Sequence, residues 1–216
     1  MNKQCIALML LILSGMPSSR ALAQEINLNA RLVMAARHDD LARVSALVAE
    51  GGKVDSRTRS GDTPLNLAAA RGNLAMARLL LDHGAQADLA NTAEVTPLMS
   101  AAFAGQAAIA SLLIERGANA SALDRLGKSA MVYAAGNGHA DVARVLLDAG
   151  VPVDQRYHNE LTALMWAAGA GHTEVVRLLL DRHADTGLRD NRGMTAADIA
   201  RAQGQTEALA VLSVAR

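Results

Sequence analysis

The sequence predicts an all-α fold, a solenoid of helix-turn-helix units with a 33-residue period. Three observations predict it. Thr63, Thr96, Ser129, Thr162 and Thr195 are each 33 residues apart, and so are Gly72, Gly105, Gly138, Gly171 and Gly204. The pairs Ala68-Ala69, Ala101-Ala102, Ala134-Ala135 and Ala167-Ala168 keep the same step. So do the triplets Leu79-Leu80-Leu81, Leu112-Leu113-Ile114, Val145-Leu146-Leu147 and Leu178-Leu179-Leu180. No insertion breaks the register, and a period of this length marks stacked supersecondary units.

Residues 1–23 read as an address. Lys3 precedes a short apolar run, Cys5 to Leu13, which Gly15 and Pro17 end. Ala21-Leu22-Ala23 then offers small residues where a signal peptidase needs them, so cleavage is expected after Ala23. The run is about half the roughly 20 apolar residues that a spanning helix needs. Cleavage removes two of the 21 basic residues, Lys3 and Arg20, and none of the 21 acidic ones, leaving a formal charge of −2. It also removes the one cysteine, Cys5, which suits an oxidising compartment. The expectation is a periplasmic or secreted protein with no membrane association once the leader is gone.

The remaining elements follow unit by unit. Stepping back from the regular units lands on Ala35-Ala36 and Gly51, so residues 24–58 form a degenerate capping unit, polar at Arg31, Arg37, His38, Asp39 and Asp40. Regular units cover 59–91, 92–124, 125–157 and 158–190, and a terminal capping unit covers 191–216. In each, Thr or Ser is placed to cap a first helix through its hydroxyl. An Ala-rich stretch follows, then a glycine that ends it. In the unit from His158 a second helix runs from Thr173 to Arg182, with Val175, Val176, Leu178, Leu179 and Leu180 on an arc too wide for a solitary surface helix. Such a helix must be sandwiched, while the Ala pair lets neighbouring units approach closely. In the terminal unit Asp198 and Arg201 stand at inner positions that are apolar or small elsewhere, as a solubilising cap would have them.

The units read TPLNLAAARGN, TPLMSAAFAGQ, SAMVYAAGNGH and TALMWAAGAGH, and their second halves ARLLLDHGAQAD, ASLLIERGANA, ARVLLDAGVPVD and VRLLLDRHAD. Over residues 27–216 this resembles the ankyrin repeat. The resemblance places Pro64 and Pro97 at first helical positions, and Gly84, Gly117 and Gly150 just past second helices, where a left-handed residue is wanted. His183 replaces that glycine and is expected at positive φ. The histidine that often follows Thr-Pro-Leu in the family is absent; Asn66, Met99, Val132, Met165 and Asp198 stand there, so the family's Thr-to-His bond is missing.

Little here points to catalysis. No two histidines are spaced i, i+4 and the body has no cysteine, so no metal site is expected. No Gly-x-Ser-x-Gly elbow or phosphate-binding loop is present. His139 and His172 fall where the family uses His or Asn structurally. With 21 Lys+Arg against 21 Asp+Glu, no basic surplus serves nucleic acid. The reading is a non-enzymatic protein without cofactor.

By resemblance, partners bind the projecting turns, or fingers, and the concave face of the first helices. The fingers hold Arg57 and Arg59, Arg125, Arg156 and Tyr157, and Arg189 and Arg192. Arg and Tyr are the types that most often anchor interfaces. Phe103 follows an Ala pair, where other units have Ala70, Gly136, Gly169 and Ala202, and should face the groove. Trp166, in the column of Leu67 and Tyr133, is expected to pack between repeats. The whole reads as a monomeric protein-binding module of the bacterial cell envelope. The alternative is an exported effector that binds a host or rival-cell protein.

Overall fold

The computed structural model describes residues 19–214; most of the expected leader, residues 1–18, lies outside them. Among the described residues the regular elements are twelve α-helices and a 3-10 turn, with no strand. The helices are α1 (Ser19–Arg37), α2 (Leu41–Ala49), α3 (Pro64–Arg71), α4 (Leu74–Asp82), α5 (Pro97–Phe103) and α6 (Ala107–Glu115). Then follow α7 (Ala130–Gly136), α8 (Ala140–Asp148), α9 (Ala163–Ala170), α10 (Thr173–Asp181), α11 (Ala196–Ala202) and α12 (Thr206–Val214). Odd-numbered helices stack on odd and even on even, so the units form two layers.

The repeating side chains explain the stack. Leu65, Leu98, Met131 and Leu164 are buried at 0–1% exposure, and every Ala pair is fully buried. In the outer layer Leu80, Leu113, Leu146 and Leu179 are likewise fully buried. A buried leucine contributes roughly 1.5–3 kcal/mol, and a unit alone could cover neither face. The hydroxyls of Thr63, Thr96, Ser129, Thr162 and Thr195 accept the amide three residues on, as expected, at 3.2–3.4 Å. Where the family's histidine is missing, Asn66 and Asp198 close reciprocal capping boxes with Thr63 and Thr195. Asp198 also pairs with Arg201 at 2.9 Å, so it caps a helix rather than merely solubilising the end. Helix α12 itself carries few polar side chains, and Val214 is 87% exposed.

His183 adopts φ 64°, as expected of the residue replacing glycine. The glycines ending the first helices have a second reason to be glycine. A Cβ on Gly138 would lie 2.7 Å from His172 Nδ1, and one on Gly105 2.6 Å from His139 Nδ1. These rings lie across the preceding unit's glycine and bond its backbone: His139 Nε2 to Phe103 O and His172 Nε2 to Gly136 O, both at 3.0 Å. A carbonyl only accepts, so Nε2 carries the proton in each. Both histidines are inter-unit staples.

Two further ladders tie units together, and both break at one place. Behind the helices, Asp55, Asp88 and Asp154 accept the amides of Gln86, Asn119 and Asp185. The missing rung falls where Ser121 replaces the aspartate and Pro152 lacks the N–H. At the front the same bond recurs in each finger: Thr58 N to Asp62 O, then Asn91 to Val95, Asp124 to Lys128, Tyr157 to Leu161, and Asp190 to Met194. Neighbouring fingers are joined by Thr92 N to Ser60 O, Arg125 N to Ala93 O, and Asn191 N to Asn159 O. The equivalent bond, His158 N to Leu126 O, is absent between the third and fourth fingers.

Candidate functional site

The concave face is built by two columns of side chains on the odd-numbered helices. One column is Leu67, Ser100, Tyr133, Trp166 and Ile199; the other is Ala70, Phe103, Gly136, Gly169 and Ala202. Phe103 is 60% exposed on this face and meets Tyr133 edge-on, ring centroids 5.8 Å apart at 79°. Gly136 and Gly169 clear the space beyond it. A Cβ on Gly136 would approach Trp166 Cε3 to 3.8 Å, and one on Gly169 would crowd Ile199 Cγ2 at 2.9 Å. The result is a hollow of about 390 Å³ whose walls include Phe103, Tyr133, Met165, Trp166 and Ile199.

A second hollow of about 440 Å³ opens between the third and fourth fingers, from Arg125 and Leu126 to Tyr157 and Asn159. It shares Lys128, Val132, Leu161 and Trp166 with the first. The four aromatic side chains of the sequence therefore all border one continuous depression, at the unit step whose fingers lack their joining bond.

Lys128 stands over this depression. Its Nζ lies 5.2 Å from the Trp166 ring centroid and 5.6 Å from that of Tyr133, and no described carboxylate pairs with it. Tyr133 is fixed from behind, its hydroxyl donating to Asp124 Oδ2 at 2.5 Å. Burial, and then that carboxylate, push its phenol well above the ordinary tyrosine range. Burial also raises Tyr157. Trp166 Nε1 is the one buried side-chain polar atom without a partner among the described residues.

The structure sorts the residues singled out from the sequence. Phe103, Arg125, Tyr157 and Arg192 border the depression. Arg57, Arg156 and Arg189 instead direct guanidinium donors at finger carbonyls. Arg57 bonds Ala90 O at 2.9 Å, Arg156 bonds Arg189 O at 3.2 Å, and Arg189 bonds Gly193 O at 2.6 Å. Arg59, on the first finger, is exposed and makes no hydrogen bond or ion pair with a described residue. Arg125 pairs loosely with Glu94 at 3.6 Å, both side chains mostly exposed, an arrangement worth at most about 1 kcal/mol. Trp166 packs against the core as expected, but it is only half-buried and also lines both hollows, Gly136 leaving one side of its ring uncovered. Sequence reasoning missed Tyr133 and Lys128 as site residues. The signal for Tyr133 was present, since it stands three positions before Gly136 just as Trp166 does before Gly169.

Arg192 reaches the depression from a rigid finger. Its Nε and Nη2 both donate to Asp190 Oδ2, at 2.9 and 2.7 Å, and the Arg192 and Met194 amides donate to Oδ1. Burial works against ionising Asp190, but these donors outweigh it and hold the carboxyl below the ordinary range. Asp198 is also lowered, chiefly by the Thr195 hydroxyl and amide. A lowered carboxyl stabilises the fold above its unfolded pKa, about 4, and loses that contribution as pH falls through the folded value. Hydrogen exchange should therefore show the 190–198 finger and helix start keeping their protection near pH 5 and losing it below about pH 4. Unchanged protection through that acid range would contradict these bonds.

Among the described residues no group of three or more His, Cys, Asp or Glu is placed to hold a metal ion. No described helix is long and apolar enough to cross a membrane. A family model of ankyrin repeats, written as three copies, matches residues 32–124, 87–157, 109–190 and 131–214. No curated protein matches the chain.

Proposed function

The chain belongs to the ankyrin-repeat family, whose members are generally protein–protein interaction modules and typically non-enzymatic, and on that premise we propose a binding module of the bacterial cell envelope. It holds a protein partner through the third and fourth fingers and the adjoining concave face. The observation that carries this reading is the gathering of all four aromatic residues around one depression in a chain that is only 2% aromatic. Aromatic and Arg anchors around a hollow are what interface hot spots are made of. The repeats supply a rigid frame and no catalytic constellation is called on; binding is by shape and charge. The protein acts as a monomer without cofactor.

Export to the periplasm or beyond is part of this proposal and rests on the pattern of residues 1–23. A fusion of residues 1–30 should deliver a periplasm-only reporter in active form, and mass spectrometry should find Gln24 as the new N-terminus. A retained Met1 would overturn export by a cleaved leader.

The binding reading is tested by affinity capture of residues 24–216 from envelope extract, with cross-linking. One dominant protein, cross-linked at the third and fourth fingers or near Phe103, is the expected result. Capture only from foreign-cell extract would favour the exported-effector reading. Cross-links confined to the outer helices would overturn the assigned face.

A further inference from the structure

We infer that the depression takes an extended acidic segment of the partner, one apolar side chain seated before Trp166 and flanking carboxylates on Lys128 and Arg125. This deepens the proposed function and rests on it.

Charge is the first argument. The chain as a whole is balanced, 21 basic against 21 acidic residues. The linings of the two hollows are not: their formally charged members are Lys128, Arg125 and Arg192, with no Asp or Glu. Of these cations, Arg192 is neutralised by Asp190 and Arg125 only loosely by Glu94. Lys128 is held by aromatic rings alone. A cation so placed over apolar walls keeps its electrostatic demand for an anion, and such complementarity selects the partner.

Shape is the second. The first hollow is walled by Phe103, Tyr133, Met165, Trp166 and Ile199 and cleared by two glycines, which fits one large apolar side chain. The second lies between fingers that lack their joining bond. His158 N–H and Leu126 C=O, paired at the other finger steps, are not paired here, and both residues line the hollow. An extended chain can supply an acceptor to one and a donor to the other, as an added strand does at an open edge.

The test selects a random displayed peptide library on residues 24–216 and follows binding by the emission of Trp166, the one tryptophan. Enriched peptides should carry Asp or Glu on both sides of an aromatic or large aliphatic residue, and should shift that emission. Lys128→Glu should weaken them about a hundredfold, and Lys128→Met, which keeps an apolar stem over the rings, about tenfold. Basic or neutral peptides, no enrichment over blank support, or affinities unmoved by Lys128→Glu at unchanged melting would overturn the inference. A captured protein that docks here through a basic or neutral segment would overturn the acidic segment alone and leave the proposed function standing. Acidic peptides that bind while no protein is captured from any extract would do the reverse.

Discussion

Phe103→Asp combined with Arg125→Glu is expected to abolish partner binding, a loss of more than about a hundredfold, while the helical circular-dichroism spectrum and the melting temperature stay as they are. The binding side of the expectation follows from position. Phe103 stands 60% exposed at one edge of the aromatic hollow, and Arg125 borders the inter-finger hollow beside it. Aromatic and Arg anchors at the centre of an interface cost roughly 2–4 kcal/mol each when removed, and the new carboxylates add repulsion against an acidic partner. The folding side follows from exposure. Phe103 gives up an edge contact with Tyr133, and Arg125 a 3.6 Å ion pair between exposed groups. Exposed substitutions of this kind change stability by about 0.5 kcal/mol. Lost helix or a large drop in melting would show that these side chains hold the stack.

Gly138→Ala should destabilise the protein by roughly 2–4 kcal/mol, against about 1 kcal/mol for Gly84→Ala. The two glycines have similar backbones, φ 80° and 85°, so both substitutions meet the left-handed penalty of an L side chain. They differ in surroundings. At Gly84 a new methyl meets nothing within 4 Å, whereas at Gly138 it would lie 2.7 Å from the His172 ring. That ring cannot retreat without giving up its 3.0 Å bond to Gly136 O, so the joint between the fourth and fifth units loosens. Urea melts of the two variants read the difference. Equal losses would show that His172 is free to move and does not staple the units.

Much of the architecture was legible because a stacked unit repeats its constraints. A threonine that caps, an alanine pair that must be small and a glycine that must be left-handed each recur every 33 residues, so five copies speak together. Even the exceptional His183 could be placed, because its column demanded positive φ. The site was less legible because it arises from departures that no single column reveals. Trp166 reads only as packing until Gly136 is seen to leave one side of its ring open. Lys128 carries no motif, and its place over two rings depends on how a finger folds against the next unit. The finger arginines show the opposite failure. Arg57, Arg156 and Arg189 are of the right type for an interface, yet the carbonyl each bonds belongs to its own finger or the next, a contact that spacing alone does not disclose. The gap at Ser121 and Pro152 was written in the sequence, but it became meaningful only beside the missing bond between Leu126 and His158.

The most direct measurement places a photo-reactive side chain at Phe103 and, in a second protein, at the exposed outer-helix position Arg78, and illuminates each in envelope extract. The account predicts one specific protein adduct through position 103 and none through position 78. Adducts through 78 alone, or the same adducts through both, would contradict a partner seated on the concave face.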